Sequence, residues 1–340
     1  MIRYLLNDKY PRLDWIQVEI SSYCNASCIY CPHSAFRPNW QNRFLPLAAF
    51  RNLIPAFNKA RLVYLQGWGE PFMHPQFFEM LQIAKAANCM VGTTTNGTLL
   101  RRETIEKIVC RGLDIVGFSL AGVDKQNDKI RKGTQIKKVL RCMEEIHKSK
   151  EKYGVDNPEI HIAYMLLRSG LKDLEKLPEF LKNTGASQTV VSSLSYVASP
   201  EMERESVFAN AEEHSELKER LIEVEKQATD EGTDLHFHLV SPLPARFSCS
   251  ENIPRAVVVG SDGSVSSCVM KQIPVKGMNF HYNNGKACLQ HNVSFGNIQM
   301  EPLNMIWHRR EYRRFIRQFL RSKTPPVCQN CLKKQIENLP

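Results

Sequence analysis

No uninterrupted apolar run in this 340-residue chain approaches the roughly 18 residues that a membrane-spanning helix needs. A secretory signal is lacking too, because Met1-Ile2-Arg3-Tyr4-Leu5-Leu6-Asn7-Asp8-Lys9 is broken by charge and too short for an apolar h-region. These two absences predict a cytoplasmic protein. In that reducing compartment clustered thiols bind metal or do redox chemistry more often than they form disulfides. Because the first strand pattern begins near Trp15, no N-terminal segment that grips a leader peptide is expected.

What is present fits a globular protein with a real core. Hydrophobic residues make up 43% and charged residues 24%, and the length suggests two domains. A net charge of +10, from 45 basic and 35 acidic residues, permits an acidic substrate, an acidic partner or RNA without requiring any of them. Seven of the eleven cysteines fall into two groups, one near each end of the chain. Cys89, Cys110 and Cys142 lie in apolar or helical surroundings and read as packing residues.

Short apolar runs alternate with amphipathic segments from about residue 13 to 230. The strand patterns are Trp15–Ile20, Arg61–Leu65, Cys89–Thr94, Asp114–Ser119, Ile160–Leu167 and Thr189–Ser195. Helix patterns lie between and after them at Leu47–Lys59, Pro75–Ala87, Arg101–Arg111, Gln135–Lys150, Leu171–Thr184 and Ala211–Asp230. Such repetition predicts an α/β fold with a parallel sheet, as a barrel or a doubly wound layer. Right-handed crossovers then bring the loops after the strands to one rim. Those loops carry Cys24–Cys31, Gly67-Trp68-Gly69-Glu70-Pro71, Thr94-Thr95-Asn96-Gly97 and Ser119-Leu120-Ala121-Gly122. One such loop is ordinary turn chemistry; four in succession predict an active site.

The pattern changes after residue 232, which sets the expected division at 1–232 and 233–340. Asp234–Leu239 alternates as a strand, and Ser241-Pro242-Leu243-Pro244 marks a boundary. Ala256–Val259 and Ser264–Cys268 flank the turn Ser261-Asp262-Gly263. A Gly/Asn-rich loop at Gly277–Asn297 precedes a basic helix at Leu303–Arg321, which Pro325-Pro326 stops.

Cys24, Cys28 and Cys31 are spaced C-x3-C-x2-C. A [4Fe–4S] cluster normally takes four thiolates, so three leave one iron open for chemistry. A zinc knuckle completed from afar is the alternative on spacing alone. Cys249, Cys268, Cys328 and Cys331 supply four thiols, enough for zinc or a second cluster.

Several ordered motifs then resemble one family. Cys24-x3-Cys28-x2-Cys31, with Tyr30 before the last cysteine, is similar to the radical S-adenosylmethionine (radical SAM) signature. Gly67-Trp68-Gly69-Glu70-Pro71 resembles that superfamily's glycine-rich motif, with Trp68 replacing a glycine. Thr95-Asn96-Gly97, Ser119–Gly122 and Asn127–Arg131 resemble its later motifs. The C-terminal Cys249-x13-Gly263-x4-Cys268, Phe295-Gly296-Asn297-Ile298 and Cys328-x2-Cys331 resemble a SPASM domain.

This resemblance implies a partial (β/α)6 TIM-like barrel followed by a small cysteine-ligated α+β domain. It implies a SAM-binding [4Fe–4S] cluster on Cys24, Cys28 and Cys31, and an auxiliary [4Fe–4S] cluster on Cys249, Cys268, Cys328 and Cys331. It further implies that Gly69 and Glu70 meet the methionyl amine of SAM and that Arg131 meets its carboxylate. Asn96 and Ser119 would bond the methionine or ribose, and the backbone at Tyr30 would read adenine. One-electron cleavage of SAM would give a 5′-deoxyadenosyl radical that takes a hydrogen atom from substrate. An electron donor such as flavodoxin or ferredoxin is implied as partner.

Two departures matter. The chain lacks the further cysteines of full SPASM domains, so one auxiliary cluster is expected, as electron relay or structural element. Val269 and Met270 follow Cys268 where sulfatase-maturing relatives carry an aspartate base. The expected substrate is a small polar molecule (a sugar, cyclitol or nucleoside) that is oxidised or epimerised, with Cys288 as a candidate hydrogen-atom donor. A peptide, protein or metallocofactor maturase is the alternative within the superfamily, and a zinc-stabilised basic RNA-binding protein the alternative outside it. Nucleic acid is not the expected partner, because Arg309–Arg321 reads as a solvated helix face. His236 and His238 share a strand face and read as a satisfied seam.

Overall fold

The computed structural model describes residues 12–207, 210–241 and 249–337. Met1–Lys9 and the Pro242-Leu243-Pro244 part of the expected boundary lie outside the described residues. The first strands are β1 (Leu13–Val18), β2 (Ser27–Cys28), β3 (Ala60–Leu65), β4 (Met90–Thr95) and β5 (Ile115–Leu120). They are followed by β6 (Arg131–Lys132), β7 (Glu159–Leu166), β8 (Gln188–Ser193) and β9 (Asp234–Val240). The C-terminal part adds β10 (Ala256–Val259), β11 (Ser264–Ser266), β12 (Asn279–Asn283), β13 (Lys286–Gln290), β14 (Gly296–Asn297) and β15 (Ile336–Glu337).

One sheet runs β14-β11-β10-β1-β3-β4-β5-β7-β8-β9-β15, with every pair from β10 to β9 parallel. Helices cross between successive strands, so the architecture is the expected α/β partial barrel. In β7, Ile160, Ile162, Tyr164 and Leu166 are buried while Ala163 and Met165 face the cavity side. Each buried aliphatic side chain contributes about 1.5–3 kcal/mol to holding helices on the sheet. Inside the barrel a Cβ at Gly92 would lie 2.5 Å from the Tyr64 ring. The bare glycine lets Tyr64 lie over the neighbouring strand β4 and reach Thr94 Oγ1 at 3.0 Å.

The C-terminal chain is grafted onto both edges of this sheet. β10 pairs in parallel with β1, from Trp15↔Ala256 to Val18↔Val259. β9, counted above with the second unit, pairs in parallel with β8 from Gln188↔Asp234 to Ser192↔His238. Helix Ala211–Asp230 is its crossover, so a division at 232 separates the strand from the sheet it extends. The Gly277–Asn297 segment, expected as a loop, contains the hairpin β12–β13. Its turn is Asn284-Gly285, both with positive φ, a pair that favours two-residue hairpins.

Proline divides two predicted helices. Leu47–Lys59 becomes Leu47–Arg51 and Ile54–Phe57, with Pro55 in the first turn of the second. Leu171–Thr184 becomes a 3-10 stretch ending at Lys176 and a helix from Leu177, where Pro178 fits the first turn. The basic segment breaks at Arg309 into Leu303–Trp307 and Arg310–Leu320. The second helix buries Tyr312, Phe315 and Ile316 and exposes Arg310, Arg314 and Arg317. Cys89 and Cys142 are buried as expected, but Cys110 is exposed at a helix end.

Candidate active site

A cavity of about 320 Å³ opens at the rim where the parallel strands end. It gathers Cys24, Cys28, Cys31, Tyr30, Gly69, Glu70, Asn96, Ser119 and Arg131, every residue expected at the first site.

The cysteine loop is held from three sides. Ser27 and Cys28 pair antiparallel with Lys132 and Arg131, and Ile29 N–H donates to Ile130 O at 3.0 Å. Asn25 donates to Thr98 Oγ1 at 2.7 Å and accepts from Asn96 Nδ2 at 2.9 Å. Glu70 N–H donates to Tyr23 O at 2.7 Å. The third side explains Gly69: a Cβ there would lie 2.3 Å from Ser21 O and 2.6 Å from Tyr23 O. Its missing side chain admits the protein's own backbone, whatever it also offers a ligand.

Glu70 and Asn96 are more committed within the protein than expected. Glu70 is buried, and its carboxylate accepts from Thr95 Oγ1 at 2.7 Å, Asn96 N at 2.8 Å and Phe72 N at 3.3 Å. Burial raises its pKa against those three donors. The Asn96 oxygen accepts from Thr98 N at 2.9 Å and Thr98 Oγ1 at 2.5 Å. Both residues therefore clamp adjacent loops. Asn127 does the same for the Ser119–Gly122 loop, accepting from Ala121 N at 3.0 Å.

Arg131 is buried beneath the cysteine loop and donates through Nη1 to the Tyr30 hydroxyl. Burial opposes its charge, but Tyr30 and the thiols of Cys28, Cys31 and Cys24 outweigh it and hold the guanidinium above its usual range. Its Nε has no partner among the described residues, and neither does Gln66 Oε1, which also borders the cavity. Both residues border the cavity, and buried polar atoms left open call for a partner. Burial pushes the Cys24 thiol up to about 11 and Cys31 to about 12, so loading metal must displace protons.

The C-terminal thiols also come together. Burial first, and then Glu251 and the thiols of Cys331 and Cys328, push Cys249 up to about 12. Cys268, fully buried, feels Glu251 and all three other thiols. No three His, Cys, Asp or Glu side chains among the described residues converge as ligands of one ion do. A cubane asks less, because each thiolate binds a separate iron. Both donor sets therefore fit a [4Fe–4S] cluster.

Cys288 is not brought to the cavity. It sits on β13 opposite His281, in a hairpin that continues the C-terminal part, so the hydrogen-donor expectation has no geometry behind it. His236 is exposed and pairs with Asp234 and Glu225. Neither it nor His238 borders the cavity.

Sequence reasoning passed over Gln66, Ser192, Tyr196 and the roles of Trp68 and Met270. The Trp68 indole N–H donates to Gln272 O at 3.0 Å and Val269 O at 3.3 Å, and its ring lies 6.1 Å from Tyr196. It thus clamps the turn after Cys268, and that turn sends Met270 into the cavity. On the same seam Glu19 accepts from Trp68 N at 2.7 Å and Ser261 Oγ at 2.9 Å. Burial raises the Glu19 pKa to about 7. Trp68→Phe keeps an aromatic ring and removes the donor. Unfolding midpoints of the anaerobic protein should fall by the equivalent of about 1–2 kcal/mol, and an unchanged midpoint would deny the clamp.

Comparison with known proteins agrees with this geometry. Residues 18–181 match the model of the radical SAM superfamily, and residues 249–332 match the SPASM iron-sulfur cluster-binding domain. The chain is 24% identical over 337 residues to the tungsten-containing aldehyde ferredoxin oxidoreductase cofactor-modifying protein of Pyrococcus furiosus, covering 94% of this chain and 87% of that protein. It is 25% identical over 314 residues to Fe-coproporphyrin III synthase of Methanosarcina barkeri, covering 88% and 74%. Among solved structures, SuiB of Streptococcus suis bound to its precursor peptide SuiA superposes with a TM-score of 0.67 at 16% identity, covering 96% of this chain and 71% of that one. Native anSMEcpe with bound AdoMet gives 0.65 at 18%, covering 94% and 87%. Radical SAM and SPASM domains hold [4Fe–4S] clusters, and the chain belongs to the radical SAM superfamily as an enzyme with a C-terminal SPASM domain.

Proposed function

We propose that this enzyme is a maturase, modifying a peptide or a protein-bound metallocofactor. The observation that carries the reading is the end-to-end similarity to the Pyrococcus cofactor-modifying protein. The cavity supports it. About 320 Å³ must accept much of SAM, which leaves little room for a free substrate. A second cavity of about 530 Å³ shares the lining residue Leu194 with the first. A sugar, cyclitol or nucleoside substrate takes second place.

When bound, the N-terminal cluster and SAM supply one-electron cleavage and hydrogen abstraction. In this reading Cys24, Cys28 and Cys31 hold that cluster. Arg131 Nε takes the SAM carboxylate, and Gln66 Oε1 and Glu70 offer acceptors to its ammonium. Ser119 and the Tyr30 backbone orient the remainder. Trp68, Tyr196 and Met270 close the seam against water. Cys249, Cys268, Cys328 and Cys331 hold the auxiliary cluster, and a cytoplasmic carrier such as flavodoxin or ferredoxin provides electrons.

The test supplies anaerobic enzyme, SAM and reductant with fractionated extract of the cell that makes the protein. The macromolecular fraction should stimulate 5′-deoxyadenosine formation above the uncoupled background. Stimulation by the small-metabolite filtrate alone would overturn the maturase reading.

A further inference from the structure

Lys271 ends the short turn Val269–Lys271 that follows Cys268, and its side chain is buried at 3% exposure. Its ammonium donates to Gln290 Oε1 at 3.1 Å, and the same amide donates to Met270 O at 2.5 Å. That partner is neutral. Lys333, which faces the Cys268 and Cys249 thiols, is answered by Glu251 at 3.0 Å, but no carboxylate among the described residues lies within ion-pair distance of Lys271. The groups around it are instead the Cys328 thiol and His281, whose ring Nε2–H donates to Asn330 O at 2.7 Å inside the Cys328–Cys331 turn.

A buried ammonium without a counter-charge costs several kcal/mol, and one amide oxygen does not offset that. Buried charges in folded proteins are paired or belong to metal sites. The Cys328 thiol beside Lys271, with the three thiols grouped around it, provides the missing charge once all four are thiolates on a cluster, because such a cluster is net negative and becomes more so on reduction. Net charge and hydrogen bonding to the sulfurs are among the factors that set cluster potentials.

We propose that Lys271 is the counter-cation of the auxiliary cluster and holds its reduction potential up. The inference rests on the reading of Cys249, Cys268, Cys328 and Cys331 as that cluster's ligands. Reduction adds one electron to a buried site, where a neighbouring ammonium stabilises the added charge far more than it would in water. A neutral residue at 271 leaves the reduced form less stable.

The test uses the full chain, reconstituted anaerobically with Cys24, Cys28 and Cys31 all replaced by alanine, so that one cluster is titrated. Its potential is read by electron paramagnetic resonance during mediated titration with dithionite. Lys271→Met should retain iron and lower the reduced-to-oxidised ratio at a fixed potential at least tenfold, about 59 mV for a one-electron couple. Lys271→Arg should stay close to the parent. An unchanged or raised midpoint in Lys271→Met overturns the proposal. If Lys271→Met loses its iron, the arginine variant decides: iron and midpoint retained there support the charge role, whereas iron lost from both variants overturns it. A parent that takes up no iron at the four C-terminal thiols removes the cluster reading itself and the proposal with it.

Discussion

Alanine at Cys24, Cys28 and Cys31 together is expected to abolish SAM cleavage while about half of the iron stays bound. The loop that carries these thiols is fixed by contacts that do not involve sulfur. Those are the pairing of Ser27 and Cys28 with Lys132 and Arg131, the Asn25 bonds to Thr98 and Asn96, and the approach of Gly69. The barrel should therefore keep its fold without the cluster. The C-terminal thiols sit across the seam, on segments joined to the sheet through β10 and β15, so their iron should survive. Cys328→Ala should do the opposite, losing the other half and loosening the C-terminal part, whose folding is coupled to its metal. Iron quantitation with chromatography of the SAM cleavage products reads both. Cleavage at parental rates in the N-terminal triple variant would refute the assigned site.

Much of this arrangement is legible in the residues. The parallel strands show because their apolar runs are spaced by helix-length amphipathic segments, and the rim loops show because each is polar and glycine-bearing. The cysteine triplet is ambiguous between zinc and an iron–sulfur cluster until the loops after β3, β4 and β5 are read with it. Some features required coordinates. β9 looks like the start of a new unit because the strand–helix alternation changes after residue 232, yet Leu235, Phe237 and Leu239 are buried and belong to the barrel layer. The β12–β13 hairpin carried a readable signal in Asn284-Gly285, which the surrounding polar residues obscure. Trp68 reads as a departure from a glycine motif, and only its acceptors at Val269 and Gln272 reveal a clamp between the two halves. Cys288 shows the reverse error. A thiol near a cluster motif suggests chemistry, but the hairpin carries it away from the cavity.

Gly69→Ala separates two explanations for the same glycine. If the bare Cα served only a ligand, the variant would hold its N-terminal iron and bind SAM more weakly. The distances favour the other explanation, because the new Cβ would meet Ser21 O at 2.3 Å, Tyr23 O at 2.6 Å and Ser22 C at 2.7 Å, all of them backbone. Backbone cannot rotate aside as a side-chain end does, so the segment entering Cys24 must shift and the Glu70 N–H bond to Tyr23 O must lengthen. Overpacking of this kind costs about 1–3 kcal/mol. Disturbing the support of metal ligands costs about 10–100-fold in metal affinity or activity. The expected result is therefore loss of iron from the N-terminal cluster alone, with SAM cleavage falling in proportion and the auxiliary iron retained. Full iron content with a raised SAM dissociation constant would instead show that Gly69 faces the ligand and that the cysteine loop tolerates the added methyl group.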